Sequence, residues 1–208
     1  MQLKEAKNKI SQITGNGLFS MTVALLFALY NGYIGIAHSY AFGIGIAIYY
    51  VALALTTGVL YIVWRRNAEK ELSGGSKLCF AASVLLLCEN VALVVPIALM
   101  VRQQRNVNLG LIAAITVATY ATYKITMAII HYTKTRRDND VRAVTLRSVK
   151  LVDAIVSVLT LQNTLISVNA TADEDMFTLT AWTSAALYVV IVVVSVNCLV
   201  RNVKALRS

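Results

Sequence analysis

The amino-acid sequence predicts an all-α membrane protein with six transmembrane helices, and three observations carry that prediction. The 208-residue chain is 58% hydrophobic, with 14% charged residues and a mean hydropathy of +0.67. A soluble domain carries about a quarter charged residues and could not hide so much apolar surface. Its apolar runs exceed the length of a soluble strand or core helix, and one Pro with scattered Gly speaks against a β-rich fold. Lys and Arg cluster between alternate runs, as membrane insertion requires.

Residues 1–17 are polar and helical in character, carry Lys4, Lys7 and Lys9, and read as an interfacial lead-in. The first span is about Leu18–Ile36. No A-x-A cleavage site follows it before the next span, so it reads as a retained signal anchor. A turn with His38 and Ser39 leads to the second span, about Tyr40–Val63, which ends on Tyr61, Trp64, Arg65 and Arg66. The third span is about Leu78–Val101, and Pro96 is expected to kink or finish it. The fourth is about Leu109–Tyr132, the fifth about Arg147–Val168 and the sixth about Phe177–Val200.

Of the 19 Lys and Arg, only Arg102 and Arg105 fall on the side opposite the amino terminus, and Lys124 lies inside a span. Both termini are therefore expected in the cytoplasm, in a plasma (inner) membrane. The opposite loop carries Asp173, Glu174 and Asp175. The net charge of +9 then reads as topology signal and contact with anionic lipid, not as a nucleic-acid surface.

The fifth span departs from a plain lipid-facing helix. Lys150, Asp153, Ser157, Thr160, Thr164 and Ser167 recur at three- and four-residue spacing, so a helix places them on one face, with Asn163 beside Thr160. Polar groups in hydrocarbon are costly unless paired or wet, so this face is expected to turn toward other helices or water.

An internal repeat is also expected within the single membrane domain, as three hairpins at about 1–67, 68–138 and 139–208. Each odd span carries an Asn in a similar setting, at Asn31, Asn90 and Asn163. Lys77 and Lys150 stand at the same distance before Asn90 and Asn163, and each even span ends in a related basic signature. Three like hairpins imply a pseudo-threefold axis along the membrane normal, with the three amides at one depth converging on it. The Pro-x-Asp/Glu-x-x-Lys/Arg signature of mitochondrial carriers is absent, so the hairpins carry no likeness to that family.

Two charges fall near mid-membrane, Glu89 in the third span and Lys124 in the fourth. An isolated ion there costs at least about 2.5 kcal/mol, so the two are expected to pair, or Glu89 to be protonated. Such a carboxylate either couples to an ion or proton or fixes helix register. Asp153 is expected near the cytoplasmic interface, as a local partner for Lys134, Arg136 or Lys150. Asn31, Gln162 and Asn163 either line a polar path or hydrogen-bond between helices. Gly43 with Ala47, and Ala54 with Gly58, are small residues at four-residue spacing suited to close helix packing. Cys79, Cys88 and Cys198 lack metal-ligand spacing, and His38 and His131 lie near opposite faces. No nucleophile elbow, zinc-protease motif, P-loop or Cys pair occurs, so neither catalysis nor a cofactor is expected.

The expected function is a small channel or transporter for an ion or small polar solute. Its path would use Asn31, Glu89, Asn90, Lys124, Asp153, Ser157, Thr160, Gln162, Asn163 and Thr164. The alternative is a binding or scaffolding subunit, either as a homo-oligomer or within a membrane complex, docking a partner or anionic lipid through its basic cytoplasmic loops.

Overall fold

The computed structural model describes residues 2–67, 75–103, 111–135, 141–168 and 174–207. These fold as helices, with no strand among the described residues: α1 (Gln2–Ala37), α2 (Ala41–Asn67), α3 (Gly75–Ala92), α4 (Val94–Gln103), α5 (Leu111–Thr135), α6 (Val141–Val168) and α7 (Glu174–Arg207). Three apolar stretches are long enough to cross a membrane, Ala41–Ile62, Lys77–Leu99 and Thr178–Leu206, and Met21–Ala37 and Ala114–Ile130 are shorter ones. The chain is inside-out relative to a soluble protein. Leu29, Ile36, Ile112 and Trp182 are exposed, while Ser83, Asn90, Ser157, Ser195 and Asn202 are buried. That exchange suits a lipid-facing surface, where apolar groups cost nothing outside and polar groups find partners inside.

The third expected span is two helices. Pro96 has no N–H to give the carbonyl of Ala92, and the helix breaks at Leu93, where α3 ends and α4 begins. Pro96 packs on α2 at Gly45, where an added Cβ would lie 2.7 Å from the ring.

α1 and α2 form a close antiparallel pair. A Cβ on Gly35 would stand 2.7 Å from the backbone nitrogen of Ile44, and one on Gly43 would stand 3.2 Å from the Cα of Gly35. Gly43 and Ala47 therefore act as packing residues, Ala47 meeting Gly32. The turn between the helices is a Schellman motif. Tyr40 N–H donates to Gly35 C=O at 2.7 Å and Ser39 N–H to Ile36 C=O at 3.2 Å. Ser39 holds the left-handed position, with φ of 50°. The motif delivers Tyr40 into the interior, where it is 8% exposed.

Among the described residues, α5 packs chiefly on α6, and α3 and α4 pack on α2 and α7. α6 lies at the centre, against α3, α5 and α7, and none of its side chains from 143 to 164 is exposed. Burial of this kind lets a helix carry a long polar stripe without setting it in lipid. α1 and α5 meet through side chains: the rings of Phe27 and Tyr120 stack at 3.7 Å and 7°, and Phe19 meets Tyr123 edge-on.

Candidate functional site

The polar stripe of α6 points inward as expected. Asp153, Ser157, Thr160, Asn163 and Thr164 are all buried. The side chain of Ser167 lies outside the described residues. The stripe joins two centres, an ion pair in the middle of the bundle and a small polar cavity toward the α1–α2 turn.

At the first centre, Lys124 on α5 donates to the Oδ2 of Asp153 on α6. Both are buried, and Lys124 Nζ stands 5.3 Å from the centre of the Tyr120 ring. Asp153 Oδ1 has no partner among the described residues, nor do the buried hydroxyls of Tyr50 and Tyr120 by hydrogen-bond geometry. This corrects the expected pairing. Lys124 does not pair with Glu89, because α5 packs on α6 and not on α3. Asp153 is buried, and its ion-pair partner is Lys124, while the side chains of Lys134 and Arg136 lie outside the described residues.

Glu89 stands apart from that pair, on the α2–α3 contact. It accepts a hydrogen bond from Thr56 Oγ1 at 2.5 Å, and its Oε2 has no partner among the described residues. The next residue, Asn90, is a three-helix clamp. Tyr49 Oη on α2 donates to Asn90 Oδ1 at 3.1 Å, and Asn90 Nδ2 donates to Ser195 Oγ on α7 at 2.6 Å. Ser195 passes its own proton to Ile191 C=O at 2.8 Å.

The second centre is a cavity of about 10 Å³, the scale needed for one water molecule. Its polar lining is Asn31, Tyr40, Thr160, Asn163 and Thr164, and Ile34, Phe42 and Val117 supply part of the rest. Asn31 Nδ2 donates to Phe27 C=O at 2.8 Å, and Asn163 Nδ2 donates to Tyr40 Oη. Thr160 and Thr164 donate to the carbonyls of Val156 and Thr160 at 3.0 and 2.8 Å.

The structure thus brings Asn31, Thr160, Asn163 and Thr164 to one cavity, and Lys124 and Asp153 to one pair. Asn90 joins neither, so the three amides do not form one constriction. Gln162 leaves the stripe and donates to Thr183 on α7, and Ser157 bonds its own helix at Ala154 C=O. Sequence reasoning missed Tyr40, Tyr49, Tyr50, Thr56, Tyr120, Ser195 and Asn202. Tyr is common at membrane interfaces, so its presence in a span carries no signal of burial. Asn202 was read as part of a cytoplasmic basic end, yet it is fully buried and donates to Thr145 Oγ1 and Cys79 C=O at 3.0 and 3.1 Å.

Fold and site together define a helical bundle with an apolar exterior and an apolar core threaded by buried polar groups. Compared with protein-family models, curated proteins and solved structures, the chain matches none.

Proposed function

We propose that the chain is a small membrane transport protein, a channel or transporter for an ion or small polar solute. In this reading the chain crosses the membrane six times, with α3 and α4 together making one crossing. Both termini lie in the cytoplasm of a plasma (inner) membrane, by the distribution of Lys and Arg. The recurrence of Asn31, Asn90 and Asn163 is then the trace of three tandem units whose packing has diverged.

The observation that supports transport is the buried polar stripe of α6, from the Lys124–Asp153 pair to the Asn31–Asn163 cavity. A helix needed only for packing would be apolar along this line, since ionisable groups inside a bundle are costly to keep. The unpartnered Oδ1 of Asp153 adds polar capacity that packing among the described residues does not use. The test is flux of K⁺, Na⁺, H⁺ and Cl⁻ in proteoliposomes of the purified chain, beside Glu89→Gln and Asp153→Asn. Flux lost in either folded variant supports the reading. Silence from folded, inserted wild type would replace it with the scaffolding reading, whose basic loops fall largely outside the described residues.

A further inference from the structure

We infer that the cavity between α1, α2, α5 and α6 binds one partly dehydrated monovalent cation of about the size of water, such as ammonium or K⁺. The claim that this cation also moves rests on the transport reading; the site itself does not.

The inference comes from an audit of donors and acceptors. A Thr hydroxyl has one proton and two lone pairs, and an amide has both kinds of group. Thr160 and Thr164 have each given their proton to a carbonyl of their own helix. Asn31 has turned its Nδ2 to Phe27 C=O, which leaves its Oδ1 without a partner among the described residues. These three side chains are 1%, 5% and 7% exposed. What they have left for the cavity is chiefly oxygen lone pairs. An anion would find three oxygens against it, and among the described residues no Lys, Arg or His lines the cavity. A divalent ion would lack the carboxylates or thiolates it requires, because among the described residues no Asp, Glu or Cys lines the cavity. Neutral oxygens suit a monovalent cation, and the rings of Tyr30 and Phe42 add surface that a cation tolerates. The volume of about 10 Å³ admits one such ion and excludes a hydrated one.

Thr160 lies seven residues beyond Asp153 on α6, a rise of roughly 10 Å, so the cavity and the central carboxylate share one helix face. Asp153 keeps one oxygen unpartnered. The field of that carboxylate is offset by Lys124, which leaves binding at the cavity dependent on its oxygens rather than on net charge.

The experiment is thermal unfolding of the purified full chain in detergent, titrated with ammonium chloride or KCl against choline chloride at constant ionic strength. A saturable rise in Tm with ammonium or K⁺, absent with choline, is expected. Thr160→Val should weaken the apparent affinity at least tenfold, Thr160→Ser should retain it, and Asn31→Leu should lose it. Cys88→Ser, at an exposed position away from the cavity, serves as the unchanged control. A Tm that responds equally to every salt would mean that the cavity holds water alone, and would overturn the proposal. So would a cation effect that survives in both Thr160→Val and Asn31→Leu. Should either variant fail to fold, the Thr160→Ser titration beside wild type, with Thr164→Val as the substitute oxygen deletion, decides the matter. Cation binding without flux would keep the site and remove the transport reading; flux without binding would do the reverse.

Discussion

Lys124 of α5 and Asp153 of α6 form an ion pair in the interior of the bundle, their side chains 4% and 9% exposed. Removing one partner strands a buried charge, at a cost of about 3–5 kcal/mol, whereas replacing both with apolar groups is often neutral. Lys124→Met and Asp153→Leu should therefore each lower stability strongly, and the double variant should recover most of the loss. Denaturant unfolding of the four proteins in detergent measures it. A double variant that loses the sum of the two single losses would show that the two side chains do not act as a unit.

Glu89 is held through Thr56. Thr56→Val leaves the carboxyl without its hydrogen-bond donor and should cost about 1–3 kcal/mol, the usual penalty for a buried polar group left unpaired. Thr56→Ser keeps the hydroxyl and should stay within about 1 kcal/mol of wild type. Equal losses in the two variants would point to the methyl group rather than the bond.

Asn202 ties the C-terminal half of α7 to α3 and α6 by way of Cys79 C=O and Thr145. Asn202→Leu removes both bonds and should lower stability by roughly 2 kcal/mol. Hydrogen exchange should show the loss of protection at the adjoining turns of α3, α6 and α7, with α1 and α2 unaffected. Uniform loss across all helices would mean that the clamp is not local.

The α1–α2 turn offers a pair of opposite effects. Gly35→Ala places a Cβ 2.7 Å from the backbone of Ile44, and overpacking of this kind costs about 1–3 kcal/mol. Ser39→Gly relieves a left-handed Ser and should raise stability by up to about 1 kcal/mol. Thermal unfolding of the two variants should move Tm in opposite directions; a fall in both would refute the reading of the turn.

Much of this molecule was legible along the chain and little of it across the chain. Period and length mark the apolar middle of each helix but not its full extent, since α1 starts at Gln2 and α7 runs on to Arg207, and the spacing of Lys150, Asp153, Ser157, Thr160 and Thr164 marks the inward face of α6. Pairing between helices was not legible. Glu89 and Lys124 were matched because each falls near mid-membrane, but depth along the membrane normal does not fix which helices are neighbours. That depended on α5 choosing α6, a matter of side-chain fit across the whole contact. The Tyr cluster of α2 and α5 was hidden for a related reason: Tyr is common at membrane interfaces, and only packing shows that Tyr49, Tyr50 and Tyr120 are deep inside.

The stacked rings of Phe27 and Tyr120 have a mechanical consequence. Most helix pairs here are keyed together, by Gly35 against Ile44 or by Asn90 and Asn202 reaching across. Where α1 meets α5, Phe27 and Tyr120 are two flat plates, nearly parallel at 7°, with Phe19 edge-on to Tyr123 farther along. Flat plates resist being pulled apart but have no teeth to stop them sliding over one another. That part of the contact is smooth among notched neighbours, and Tyr30 and Val117 on the same two helices line the cavity. Any gliding of the first helix pair along it would change the cavity's width while the clamps elsewhere stay shut.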